Sequence, residues 1–374
     1  MNRAYRYRIY PNAGQKEQLE KTFGCCRYVY NAVLDLQKKR YCEGEKYLSK
    51  INANNRCNRE LKASTPWLKE VDKFALTNTI FALDSGFKRF FDKAGGYPKF
   101  KSKKRSRNSY TTNCTNGNIS VYENAVKLPK LGKVKAVIHR NAPKEWTLKS
   151  ATVTKEHDST YYCSILYEMP TVVTDEVKKV NGAKVIGLDY KSDGLYMDSE
   201  GKVCGSPKYY TRSMEILAKR QRKLKHKKTG SKNYYKQQKK IAKLHRHTAN
   251  QRKDFLHKES LSIAKTYDIV CVEDLNMRAM SNKGFGNGRA TLDNGYGMFI
   301  NMLAYKLDER GKHLVKINKW YASSQICSSC GKQHKISLGT RIYRCECGMI
   351  MDRDKNAAIN IKNEGIRAFM ELTA

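Results

Sequence analysis

Residues 3–10, RAYRYRIY, alternate polar and apolar side chains and put Tyr5, Tyr7 and Ile9 on one face, the period of a strand that Pro11 closes. From residue 13 to residue 39 the period becomes helical, with Leu19, Phe23, Tyr28 and Leu34 apolar and Gly24 expected as a break or a close contact. Pro66-Trp67 marks a boundary. Residues 71–91 then spell a second amphipathic helix through Phe74, Leu76, Ile80, Leu83, Phe87, Phe90 and Phe91. Residues 109–168 read as several short strands with turns, one of them at Asn116-Gly117-Asn118. The opening strand has no other sheet nearby and is expected to join this β unit, with the helical stretch inserted between its strands.

Beyond a segment of linker composition, residues 171–182, an apolar run (Val185, Ile186, Leu188) stops on Asp189, reverses through residues 191–194 and returns through Leu195, Tyr196 and Met197. Residues 269–272 repeat the theme and stop on Glu273 and Asp274, and residues 314–317 make a third strand. Between Glu215 and Asp254 there is no acid. That stretch reads as a basic helical hairpin broken at Thr229-Gly230-Ser231, with a sparse seam of Leu217, Leu224, Ile241 and Leu244. As a helical crossover it lets the two acid-ended strands pair in parallel and bring their carboxylates to one edge. The glycine-rich residues 284–297 lack the order of a nucleotide-binding loop and are expected to form a mobile flap beside a site. Phe299, Leu303 and Leu307 then share one helix face. In residues 352–365 a helix puts Asp354, Ala358 and Ile361 on one face. Ala357, Ala358 and Ile361 are its expected buried side, the rest being Lys, Asn and Glu, so Asp354 is carried toward the sheet and Asp352 is left to cap.

Charge narrows the partner. Lys and Arg number 73 against 35 Asp and Glu, a formal net charge of +38, and self-repulsion on that scale points to a polyanion. No apolar run of about 18 residues could span a bilayer, and no basic-plus-apolar leader opens the chain. The expectation is an intracellular nucleic-acid protein with no membrane partner. Residues 95–107 mix Lys and Arg with Tyr97 and Phe100 and hold no acid, a pattern suited to phosphate contact and base stacking. Lys99, Lys101, Lys103, Lys104 and Arg105 there, and Arg220, Arg222 and Lys223 in the hairpin, are the candidate backbone contacts.

Two constellations carry chemistry. Asp189, Glu273 and Asp354 come from strand, strand and helix; adjacent carboxylates repel unless a cation intervenes, and their hard oxygens suit Mg²⁺. Together they form a candidate two-metal site for phosphodiester hydrolysis. Eight of the 12 cysteines are scattered and read as small buried hydrophobes, whereas Cys327-Ser-Ser-Cys330 and Cys345-Glu-Cys347 are two close pairs suited to a structural tetrahedral Zn²⁺ site, with His334 as a substitute ligand.

GLDYKSDGLY (187–196), CVEDLN (271–276), CSSCG (327–331) with its second cysteine pair, and DRDKNAAINI (352–361) occur in an order that resembles the TnpB family. These are transposon-encoded RNA-guided DNA endonucleases of the OrfB "transposase" type, relatives of the type V CRISPR effectors. RIYPNAGQKEQL, FGCCRYVYN, WLKEVDKFAL, GYPKFKSK and KLPKLGKVK extend the likeness over nearly the whole chain.

The resemblance implies an α+β multidomain chain. A wedge-type β-barrel (1–12 and 101–170) would carry an inserted helical recognition domain (13–100); after the linker (171–182) would come a RuvC-like nuclease domain of RNase H fold (183–324), a zinc ribbon (325–348) and a C-terminal helix (349–374). It transfers the catalytic triad onto Asp189, Glu273 and Asp354, and the DNA-motif readers onto Lys73, Phe74 and Thr77, the last often Gln in relatives. It also implies a guide RNA from the transposon end, a double-stranded DNA target beside a short transposon-adjacent motif, and one chain per RNA. Mg²⁺-dependent cleavage is the implied activity. A guide-directed repressor that binds without cutting, or a strand-joining transposase, are the alternatives; the intact triad argues against the former.

Overall fold

The N-terminal alternation becomes β1 (Asn2–Tyr10), with Tyr5, Tyr7 and Ile9 buried and Arg6 and Arg8 exposed. In the computed structural model, which describes residues 2–170, 180–282, 284, 288–337 and 339–373, the chain divides into two compact units, 1–172 and 173–374. The expected linker, 171–182, lies outside the described residues up to 179.

In the first unit β1 leads to α1 (Ala13–Cys42), α2 (Lys50–Arg56), α3 (Lys62–Ser64) and α4 (Lys73–Phe91). There follow β2 (Asn108–Asn113), β3 (Ser120–Val121), β4 (Ala125–Leu128), β5 (Gly132–Val137), β6 (Thr147–Lys155) and β7 (Tyr161–Glu168). All seven strands pair antiparallel in the order β2-β6-β7-β1-β5-β4-β3, so the first strand lies mid-sheet between β7 and β5, with the helices inserted after it in sequence. A capping box starts α1: Asn12 accepts the Gln15 N–H and Gln15 accepts the Asn12 N–H. Gln15 also donates to the carbonyls of Leu131 and Lys133, tying the helix to the sheet. At Gly24 there is neither break nor close contact: α1 runs through it, and an added Cβ would meet only the Arg27 guanidinium at 3.9 Å. In α4, capped by Asp72, Leu76, Ile80, Leu83 and Phe87 are buried. The apolar stripe ends there, because Phe90 and Phe91 are exposed, against each other and the rings of Tyr97, Tyr47 and Phe87.

The second unit runs β8 (Val185–Tyr190), β9 (Tyr196–Asp198), β10 (Val203–Cys204), α5 (Tyr209–Lys225), α6 (Lys232–Thr266), β11 (Ile269–Glu273), α7 (Met277–Met280), α8 (Gly288–Asn294), α9 (Tyr296–Asp308), β12 (His313–Ile317), β13 (Ile342–Arg344), β14 (Ile350–Asp352) and α10 (Arg353–Thr373). Its five-stranded sheet has the order β10-β9-β8-β11-β12. β8, β9 and β10 are antiparallel, whereas β8, β11 and β12 are parallel, as the α5–α6 crossover requires. Helices cover both faces. Val270 and Val272 join the core of α6 and α9, while Ile269 and Cys271, pointing the other way, join that of α10.

The glycine-rich stretch is not a flap where it is described. Residues 288–294 are helix α8, with Thr291, Asp293 and Asn294 buried, and α9 begins at Tyr296. Residues 283 and 285–287 lie outside the description. Asp293 accepts the N–H groups of Tyr210 and Thr211 and pairs with Arg252 at 3.2 Å, so it anchors the start of α5. Burial works to raise its carboxyl, but these bonds hold it below the ordinary range. Among the described residues no helix is long and apolar enough to cross a membrane.

Candidate functional site

Parallel register brings the acids of β8 and β11 together. Val185 to Leu188 pair with Ile269 to Val272, so Asp189 and Glu273 occupy the next position of neighbouring strands. Helix α10 packs against both strands and delivers Asp354 from its first turn. Burial, then the charges of Glu273 and Asp354, push the Asp189 carboxyl well above the ordinary range, against the pull of Arg353 and Lys191. Burial also raises Glu273, opposed by a 2.6 Å hydrogen bond from the Ser323 hydroxyl. Asp354 is held by Lys191 at 2.7 Å, with Arg353 at 3.6 Å and Arg341 at 3.9 Å. Three hard-oxygen donors, two of whose charges raise the proton affinity of the third, fit a hard divalent cation, which would relieve that repulsion.

The neighbouring acids do other work. Asp274 is exposed and paired with Lys316 at 2.9 Å. Asp352 caps α10 by accepting the N–H groups of Asp354 and Lys355. Residues that pattern reading missed complete the surroundings. Tyr296 is fully buried with its hydroxyl unpartnered, and burial followed by the charges of Asp189 and Glu273 raises its phenol. Ser323 is buried against Glu273. Asn356 and Asn360, expected to face solvent, are instead 0% and 3% exposed, because their side chains find backbone partners in residues 323–328.

Among the described residues the four sulfurs of Cys327, Cys330, Cys345 and Cys347 are the one group of potential ligand atoms all within 4.8 Å of one another; the three carboxylates stand less tightly. Cys327 and Cys347 are 3.7 Å apart and Cys330 and Cys345 3.5 Å. A tetrahedral ion with bonds of about 2.3 Å needs sulfurs about 3.8 Å apart, so the four fit one. Each pair is shaped by a turn whose following glycine, Gly331 or Gly348, takes a left-handed conformation (φ 78° and 87°). Burial works to raise the Cys327 thiol, but N–H groups of Cys330 and Ser329 bring it to about 7, favouring the thiolate that binds metal. His334 stands at 3.4 Å from the Cys345 sulfur, outside the four-sulfur set.

The remaining candidates are dispersed. Lys73 and Thr77 lie one turn apart on α4; the Lys73 ammonium sits over the Phe74 ring, and Thr77 donates to Asn54. Lys99, Lys103, Lys104 and Arg105 are exposed, but Lys101 is not with them. Its ammonium packs on the Tyr30 ring at 3.9 Å, and burial lowers its pKa, so it serves the first unit's core. Arg220 and Lys223 line a groove of about 550 Å³ between α5 and α6 with Lys240, Lys243 and His247, whereas Arg222 is exposed outside it.

Three family profiles match the chain: "Helix-turn-helix domain" over residues 1–46, "Probable transposase" over 164–284 and "Cas12f1-like, TNB domain" over 296–361. The first of these regions folds here as β1 and one continuous helix of 30 residues. A Streptomyces pristinaespiralis protein named "Putative RNA-guided DNA endonuclease" is 31% identical over 378 residues, covering 98% of this chain and 90% of its own. "Putative RNA-guided DNA endonuclease InsQ" of Escherichia coli K12 is 28% identical over 383 residues, covering 97% and 92%. Among solved structures, a chain of the Cas12f1–sgRNA–target DNA complex matches with a TM-score of 0.60 and 13% identity over 97% of this chain and 99% of that one, a likeness of fold.

Proposed function

This chain belongs to the TnpB family, and from that premise we propose that it is an RNA-guided DNA endonuclease. A guide RNA from the transposon end pairs with the target strand and supplies sequence choice, while the protein reads a short flanking motif and the shape of the heteroduplex. Similarity along nearly the full length to two proteins named as such endonucleases supports the reading. One observation carries the chemistry: Asp189, Glu273 and Asp354, far apart in sequence, come close enough that two of them raise the carboxyl of the third.

In this reading the second unit is a RuvC-like nuclease of RNase H fold with a zinc ribbon. The seven-stranded sheet of the first unit is the wedge barrel, and its inserted helices form the recognition domain, Lys73, Phe74 and Thr77 reading the motif. The protein works in the bacterial cytoplasm, one chain with one RNA. Asp189, Glu273 and Asp354 would hold Mg²⁺, which would supply the activation of water and the stabilisation of the leaving oxygen of the phosphodiester. Lys191 holds Asp354 in place beside Asp189, and Ser323 fixes one oxygen of Glu273. The four cysteines, their sulfurs within 4.8 Å of one another, would hold Zn²⁺ in a closed, structural site.

The test is purification with the co-expressed transposon-end RNA, followed by incubation with plasmids that carry the matching target beside a randomised flank. Mg²⁺-dependent double-strand cuts beside one enriched motif, absent in Asp189→Ala, are expected. Metal-independent or absent cleavage, with Asp189→Ala equal to wild type, would overturn the reading. Strand-joined products would mark a transposase instead.

A further inference from the structure

The four-cysteine ribbon and the acid site share one short segment. Residues 323–328 lead from the end of the parallel sheet into the first sulfur ligand, and α10 holds that segment by two side chains. Asn360 donates to the carbonyls of Ser323 (2.8 Å) and Ile326 (2.6 Å). Asn356, one turn earlier, donates to Ile326 (2.7 Å) and accepts the Ser328 N–H (3.0 Å). A buried amide without partners is costly, and here both are satisfied by backbone alone. Within the clamped segment Cys327, 1% exposed, points its sulfur into the cluster, and Ser323, 5% exposed, points its hydroxyl at Glu273 Oε1, 2.6 Å away. The same two turns of α10 carry Asp354, so the clamp fixes one acid through Ser323 and bears another itself.

We infer that Ser323, Asn356 and Asn360 are positioning residues that couple the metal state of the cysteine ribbon to the cation affinity of the acid site. The inference rests on the reading of Asp189, Glu273 and Asp354 as cation ligands. When the ribbon is loaded, the 323–328 segment is fixed at both ends and the Ser323 hydroxyl presents Glu273 in one orientation. When the ribbon is empty, Cys327 loses its anchor and the orientation of Glu273 is released. Outer-layer hydrogen bonds of this kind set ligand geometry at metal sites generally.

The test uses the full chain purified with its RNA, Mn²⁺ as the probe of the acid site by titration calorimetry, zinc content by elemental analysis, and thermal unfolding. Ser323→Ala leaves every clamp bond in place and is expected to weaken Mn²⁺ binding roughly tenfold, with zinc content and unfolding temperature unchanged. Asn360→Ala is expected to weaken Mn²⁺ binding at least as much. Cys330→Ser, which loses zinc, is expected to weaken Mn²⁺ binding in the wild-type background but to add little in the Ser323→Ala background, the non-additivity of one shared route. Mn²⁺ affinity within about twofold of wild type in Ser323→Ala would overturn the inference, as would losses that simply follow unfolding temperature. Glu273→Gln separates the two readings. If it binds Mn²⁺ like wild type, the acid site itself is misassigned and both fall; if it loses Mn²⁺ while Ser323→Ala does not, only the coupling falls.

Discussion

Gly187 in β8 lies so close beneath Ala358 in α10 that an added Cβ would stand 2.1 Å from the Ala358 carbonyl oxygen and 2.7 Å from the Lys362 nitrogen. Gly365, further along α10, does the same against β11, where a Cβ would meet the Cys271 sulfur at 2.3 Å. The helix that carries Asp354 is thus seated by absent side chains on the two strands that carry Asp189 and Glu273. Backbone on both sides leaves nothing flexible to yield at Gly187. Gly187→Ala is therefore expected to cost about 3 kcal/mol or more, beyond ordinary overpacking, and to abolish cleavage. Gly96→Ala, where a Cβ meets nothing within 4 Å, is the control and should stay within about 0.5 kcal/mol. Urea unfolding of the two variants checks this; equal stability would mean that α10 is not seated as described.

Asp189 sets a pH dependence of stability through its raised carboxyl. Its carboxyl is raised on folding, so the folded chain binds more protons than the unfolded one, and metal-free stability falls as pH rises from the ordinary carboxylate range through the raised value. Asp189→Asn removes that penalty. At pH 8 without divalent ions the variant should unfold at a higher temperature than wild type, and the gap should narrow toward acid pH. Adding Mg²⁺ should raise the wild type and not the variant, in which cleavage should be lost. Scanning calorimetry at two pH values reads all of this, and a variant less stable than wild type at pH 8 contradicts it.

How far the sequence could be read follows from where each residue's partners lie. The alternation of β1, the two apolar runs ending in acids and the paired cysteines are local patterns, visible without tertiary contacts. Asn356 and Asn360 are not, because their partners are backbone groups some thirty residues earlier, and polarity alone sends an asparagine outward. The glycines of residues 284–297 suggested a loop, yet Asp293 has its partners more than eighty positions away at the start of α5, and that long-range anchor comes with a helix. Lys101 looked like its basic neighbours until Tyr30 was beside it. Gly187 and Gly24 look alike in sequence; only the packing distinguishes a seat from an idle position.

A buried lysine sets a second pH dependence. Lys306 in α9 donates to the His257 carbonyl (2.7 Å) and the Ser260 hydroxyl (2.6 Å), and burial, with Arg310 nearby, lowers its pKa from 10.5 to about 8. The unfolded chain binds more protons between those values, so this residue's contribution makes stability rise with pH across that window. Relative to Lys306→Met, the wild type should gain up to about 3 kcal/mol between pH 7.5 and pH 10.5. Parallel stability–pH curves for the two proteins would remove Lys306 as the cause.

The groove between α5 and α6 presents Lys223 and Lys243 with Arg220, Lys240 and His247 nearby. Arg220 also closes the hairpin by donating to the Lys240 carbonyl at 2.8 Å, so its removal would mix folding with binding. Lys223 and Lys243 are exposed and suit the test better. If the groove follows a phosphate backbone, each lysine releases counterions on binding, and Lys223→Gln/Lys243→Gln should weaken retention of the co-purified RNA. The double variant should also flatten the dependence of log affinity on log salt by about 0.7–0.9 per lost contact. Its unfolding temperature should not move, because neither side chain is buried. Filter binding across a salt series measures both quantities. Equal slopes with equal affinity would place the RNA elsewhere, whereas a lower affinity at unchanged slope would mean that the lysines act on the shape of the hairpin and not through charge.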